Sequence, residues 1–174
     1  RPLVLMLVGG PAPWQGIDRF AALSESLPEF DFVICGDGGA DVENLPDTVG
    51  VLEPRSGQSL EELLSRVSVS FGTMALSRKG MIEACPLKSR TSLAAGVPLI
   101  YAYDDPALKG DERFALRIED RQIQSQATIT RIADFIRKAS EEPGIGIEAW
   151  EFAKRNLGVD VAEKRRIEFF ESIL

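Results

Sequence analysis

LVLMLVGGP, residues 3–11, decides the fold. Six apolar side chains in a row, closed by two glycines and a proline, leave no polar face. The stretch therefore reads as a parallel strand buried on both sides, with a turn at its carboxyl end. Outward from it the pattern alternates. Ile17, Phe20, Ala21, Leu23 and Leu27 recur near helical spacing before Pro28 and predict a helix over 17–26. Phe32 to Cys35, closed by Gly36-Asp37-Gly38-Gly39, repeats the strand-then-glycine pattern, and Val49 to Leu52 is a third short strand. Ser59 and Glu62 have capping-box spacing and predict the start of a helix carrying Leu60, Leu63 and Leu64. Val67, Val69 and Phe71 alternate with Ser68 and Ser70 as a fourth strand ending at Gly72. Pro86 to Ala95 reads as a helix stopped by Gly96 and Pro98, followed by strands at Leu99 to Tyr101 and Phe114 to Ile118. Ile129, Ile132, Ala133 and Ile136 mark a further helix, Glu141 to Gly144 a linker, and 147–156 and 161–174 a helical tail. This order predicts the α/β class, a Rossmann-like parallel sheet of about six strands with helices on both faces. Ligands in such sheets bind beyond the carboxyl ends of the strands, which points to the loops after Val8, Cys35, Leu52 and Phe71. The first, second and fourth of these loops carry glycine.

Composition removes several chemistries. The 174 residues are 44% hydrophobic and 27% charged, which suits one domain with its own core. There is no histidine, so Ser-His-Asp and Cys-His nucleophiles and imidazole acid–base chemistry would have to come from elsewhere. Cys35 and Cys85 are too few for a disulfide scaffold and lack zinc spacing, so a reducing, cytoplasmic setting is expected. With 20 basic against 27 acidic residues the net charge is −7, which argues against nucleic acid as a partner. No apolar run reaches the length of a membrane span. Arg1 leads at once into an apolar run, so a partner domain upstream is expected.

Gly36 to Gly39 does not make a dinucleotide fingerprint, because Asp41 stands where the last glycine belongs and the turn follows the second strand rather than the first. It is read as a tight turn, which leaves an NAD-dependent oxidoreductase poorly supported. No phosphate-cradling G-x-x-x-x-G-K-[ST] motif exists. The window RKGMIEACPLKSR, residues 78–90, is more informative. Arg78, Lys79, Lys88 and Arg90 outnumber Glu83, so the local charge is +3 in an acidic chain. The window sits between a strand end and a helix start, where free N–H groups already favour an anion. A phosphate site and a solvated basic loop both fit it. Asp104-Asp105 reads as a turn or cap rather than a metal pair. Trp14 and Trp150 read as packing residues.

The segment KGMIEACPLKSRTSLAAGVPLI, with Glu83, Pro86, Leu87, Lys88, Arg90, Leu93, Ala94, Ala95, Gly96 and Pro98, resembles the donor-binding signature of the family 4 (group 1) glycosyltransferases. Trp14 to Asp18 with Phe20, and Val33 to Gly38, are similar to two further segments of that family, so the resemblance runs from Leu3 to about Ile136. It implies the C-terminal half of a two-domain GT-B enzyme, binding a nucleotide-diphosphate sugar as substrate, with no cofactor and no metal. Its acceptor-binding domain would lie upstream, and it would be cytoplasmic, with peripheral membrane contact left open for the full-length protein. Glu83 matches the catalytic glutamate that lies against the donor sugar. Gly9, Gly10, Gln15, Gly16, Ala84, Cys85, Pro86, Leu87, Lys88 and Arg90 are implied at the diphosphate, and Gly36, Leu52, Glu53 and Thr91 at the nucleoside. Two departures stand out. Thr91 replaces the second glutamate of the pair, which removes about 1–2 kcal/mol of charge-assisted bonding to the ribose. Gly10 and Gln15 occupy positions where the family carries cations. A retaining glycosyltransferase and a degenerate, non-catalytic Rossmann-like binding module are both compatible with this sequence. The tail carries Ile167, Phe170 and Leu174 on one helical face, suited either to the missing half or to this domain.

Overall fold

The structure is a computed structural model that describes residues 1–42 and 44–173. Six strands, β1 (Leu3–Val8), β2 (Asp31–Gly36), β3 (Val49–Leu52), β4 (Val69–Phe71), β5 (Leu99–Tyr101) and β6 (Ala115–Arg117), form one sheet in the order β3-β2-β1-β4-β5-β6. All five pairings are parallel. The strand order reverses between β1 and β4, which leaves a crevice at their carboxyl ends.

The helices are α1 (Ile17–Ser26), α2 (Gly57–Leu64), α3 (Leu87–Ala94), α4 (Gln126–Glu141), α5 (Pro143–Asn156) and α6 (Val159–Ile173). Because side chains alternate along a strand, β1 feeds two cores. Val4, Met6 and Val8 pack with Phe20 and Leu23 of α1 and Ile132 and Ile136 of α4, while Leu5 packs with Leu63 and Leu64 of α2. Phe20 meets Phe32 and Phe71 edge-on at 5.1 and 5.3 Å, arrangements that add about 0.5–1.5 kcal/mol each beyond area burial. Beside β5, Leu99, Tyr101 and Phe114 pack with Leu93 of α3 and Ile145, Ala149 and Ala153 of α5. Among the described residues no helix is long and apolar enough to cross a membrane.

Several local expectations are corrected. Ser59 is inside α2 rather than at its cap. The helix starts at Gly57, and the Ser59 hydroxyl donates to the Ser56 carbonyl at 2.9 Å. Ser70 is buried rather than solvent-facing, and accepts a 2.8 Å bond from the Ser92 hydroxyl of α3. Val67 lies before the fourth strand. The expected linker contributes only Glu142 as a break, because Pro143 opens α5. Proline suits a first helical turn, whose N–H groups are unpaired anyway. Ile145, Ala149 and Ala153 root α5 in the core, whereas Ile167, Phe169, Phe170 and Ile173 of α6 are exposed. Leu174 lies outside the described residues.

Candidate functional site

At the crevice, the loop after β1 faces the loop after β4 and the start of α3. Helix α3 has no apolar stripe to hold it. Its buried face is Ser89, Ser92 and Leu93, and two hydroxyl contacts fix it over the sheet: Ser92 to Ser70, and Ser89 to the Tyr103 hydroxyl at 2.6 Å. Small polar residues let α3 sit close to β4 and aim its amino-terminal end at the crevice, where unpaired N–H groups attract anions.

Two adjoining cavities open there. The outer one, about 430 Å³, is lined by Gly9, Trp14, Gln15, Thr73, Lys79, Lys88 and the 84–86 loop, among others. The inner one, about 350 Å³, includes Gly9, Gly36, Arg55, Leu87, Lys88 and Thr91. Gly9 and Lys88 are the residues common to both. In a chain with 27 acidic residues, no described Asp or Glu lines either cavity, while Arg55, Lys79 and Lys88 do.

Four nearby aspartates are occupied. Asp18 takes both guanidinium nitrogens of Arg78 at 2.8 and 2.7 Å, and this pairing holds the Asp18 carboxyl below its usual range. Asp105 is buried and takes Arg90 at 2.8 and 2.5 Å. Asp120 accepts Arg19 and the Ser77 N–H, and Asp104 pairs with Arg117. Lys79 rests over the Trp14 ring, 4.7 Å from its centroid.

Among the described residues Lys88 has only a neutral partner, the Gln15 side-chain carbonyl. Burial lowers its pKa from the ordinary 10.5 to about 8. At neutral pH it is still mostly charged, so an anion in the cleft meets a poorly solvated ammonium. The sign for stability follows. The unfolded chain keeps its proton up to higher pH than the folded one, so burying the ammonium costs stability below pH 8, and that cost is recovered as pH rises from about 8 to 10.5. Lys88→Met is expected to raise stability at pH 7 by about 2 kcal/mol, or about 4–8 °C in melting temperature. The gain shrinks toward pH 10, and thermal melts of both proteins at the two pH values check it.

The structure brings together at the cleft Gly9, Gln15, Ala84, Cys85, Pro86 and Lys88 in the outer cavity, with Gly36, Leu87 and Thr91 in the inner. The remaining expected positions lie elsewhere. Gly16 is buried against the loop after β4, where a Cβ would come within 2.7 Å of Met74 Cβ, so its role is packing. Gly10 does not line either cavity. Leu52 packs into the core beneath α2, and Glu53 is exposed and offers its carbonyl to the Cys35 thiol at 3.3 Å. Arg90 is committed to Asp105 and touches Cys85 Sγ at 3.0 Å. That pair occupies its guanidinium, and Arg90 lines neither cavity. Glu83 is exposed on the rim strip that runs beside Asp104, held by the Asp104 N–H to the Ile82 carbonyl and the Ala84 N–H to the Asp104 carbonyl. Trp14 is half-buried in the outer cavity wall and Trp150 is exposed, so neither is a core residue. Sequence reasoning counted Lys79 in its cationic window but missed Arg55, Trp14 and Thr73 as cleft residues. Arg55 follows β3 at its carboxyl end, the place the sheet rule indicates, but its loop carries no glycine to draw attention.

No family model and no curated protein matches the sequence. Solved structures do match. Sucrose-phosphate synthase from Thermosynechococcus elongatus superposes with a TM-score of 0.71 at 16% identity, over 99% of this chain and 45% of that one. HepE from Anabaena, solved in complex with UDP, gives 0.73 at 15% identity over 98% and 49%. A glycosyltransferase from Rickettsia africae gives 0.71 at 13% over 99% and 48%. The chain thus spans about half the length of each. At these identities the likeness is one of fold, and the Rossmann-like α/β sheet described above is the fold these glycosyltransferases share with it.

Proposed function

We propose that this chain is the nucleotide-sugar-binding half of a GT-B glycosyltransferase that transfers a sugar from a nucleotide diphosphate to an acceptor held by a second, N-terminal domain. One observation carries this reading: a cleft at the switch point of a parallel sheet that concentrates three cations, Arg55, Lys79 and Lys88, and, among the described residues, no carboxylate, in a chain of net charge −7. The diphosphate sits where the two cavities meet, between the Gly9 turn, the amino-terminal amides of α3 and Lys88. As the glycosidic bond breaks, negative charge gathers on the leaving diphosphate, and dipoles fixed in advance stabilise it without reorganising. Glu83 reaches the sugar hydroxyls from the rim. The transfer proceeds with retention, as the family resemblance implies, and no covalent nucleophile is needed from this half. Arg55 neighbours the nucleoside, where Thr91 supplies a neutral hydroxyl.

Titration calorimetry with UDP, GDP and ADP at pH 7 is the test. One of the three is expected to bind, about tenfold or more weakly in Lys88→Gln, and less well as pH rises through about 8. Glu83→Gln in the intact enzyme is expected to lower the transfer rate by about a hundredfold. A second reading, a non-catalytic binding module, is favoured by one observation: Arg90 is tied to Asp105, which removes a cation from the phosphate site. Binding of nucleotide with no transfer and no effect of Glu83→Gln would select it.

A further inference from the structure

We propose, building on the donor-site reading above, that the sugar entering this cleft is itself anionic, carrying a carboxylate of the hexuronate type that Lys79 receives at the outer end. The three cations lie in sequence along the cleft: Arg55 lines the inner cavity alone, Lys88 lines both, and Lys79 lines the outer one alone. A diphosphate at the shared Gly9 and Lys88 position uses the middle charge. The nucleoside then falls to the inner cavity and the sugar to the outer.

A neutral sugar offers hydroxyls, which need acceptors as well as donors. The described lining of the outer cavity contains no carboxylate: its side-chain oxygens are the Thr73 hydroxyl and the Gln15 amide oxygen, which already accepts from Lys88, and Glu83 approaches only from the rim. What the outer cavity adds beyond the phosphate site is a full positive charge. That charge has no ion-pair partner among the described residues, because Asp18 is bound to Arg78 and Asp120 to Arg19 and the Ser77 N–H. Trp14 holds the ammonium by its ring face, so less side-chain freedom is lost when an anion docks.

The test compares UDP-glucuronate with UDP-glucose by calorimetry at pH 7 and low ionic strength, in wild type, Lys79→Gln and Arg55→Gln. Glucuronate 1-phosphate against glucose 1-phosphate repeats the comparison free of any base. Wild type is expected to prefer the uronate by about fivefold or more, Lys79→Gln to lose that preference, and Arg55→Gln to bind both UDP-sugars more weakly at an unchanged ratio. Equal affinity in wild type, or a preference that survives Lys79→Gln, overturns the inference while leaving the donor site standing. Failure of UDP, GDP, ADP and both sugar phosphates to bind overturns the donor-site reading and this inference together.

Discussion

Gly36→Ala is expected to leave the domain largely unfolded, with a stability loss of about 4 kcal/mol or more out of the roughly 5–15 kcal/mol such domains possess. Gly36 is the last residue of β2 and pairs with Val8, the last residue of β1. Its φ is +135°, a conformation that L side chains rarely adopt, and a Cβ there would fall 1.8 Å from the Val8 carbonyl oxygen. That oxygen is backbone in the centre of the sheet and cannot swing aside as a side-chain tip would. Relief requires β1 and β2 to separate at the edge of the crevice, which disturbs the Gly9 turn next in the chain. Chemical denaturation with far-ultraviolet circular dichroism measures the loss. A midpoint within a tenth of wild type would show that the strands accommodate the methyl group.

Arg90→Met is expected to cost about 3–5 kcal/mol, because it strands the Asp105 carboxylate, whose side chain is fully buried, without its cation. Burial alone would lower the Arg90 pKa, and the Asp105 carboxylate more than offsets this, so the guanidinium ends above its ordinary value. With the pair broken, the buried Asp105 carboxylate keeps one backbone donor among the described residues, the Ala107 N–H at 3.0 Å. Chemical denaturation at pH 7 measures the loss, and the double variant Arg90→Met with Asp105→Leu is expected to recover most of it. If Arg90 instead served phosphate, the single variant would show an intact melt and a collapsed nucleotide affinity.

The strands were legible because a parallel sheet buries both faces, and runs such as LVLMLV and FVIC have no other explanation in a chain of this charge. Helices α1 and α4 were legible from their 3.6-residue spacing. Helix α3 was legible from its proline and glycine bounds alone, since hydroxyl contacts to Ser70 and Tyr103 replace the missing apolar stripe. The start of α2 was misplaced because Ser59 bonds backward to Ser56 instead of capping forward. Pro143 punctuated a composition that looked like linker and was in fact a helix start. The cleft was half legible. The 78–90 window was rightly singled out as cationic, but which of its four cations remain free depends on Asp18 and Asp105, partners fixed only by the fold. Lys88 stays available because no described acid reaches it, which no local pattern in the sequence encodes.

Four arginines around the crevice line neither cavity, yet they govern its polarity. Arg78, Arg90, Arg19 and Arg117 each silence an aspartate that would otherwise shine negative potential into the opening. Substitutions at those positions, or at the aspartates they mask, retune what the opening attracts without altering its shape. Drift in the supporting shell is thus a route by which relatives of this chain can exchange one cargo for another while every wall residue stays the same.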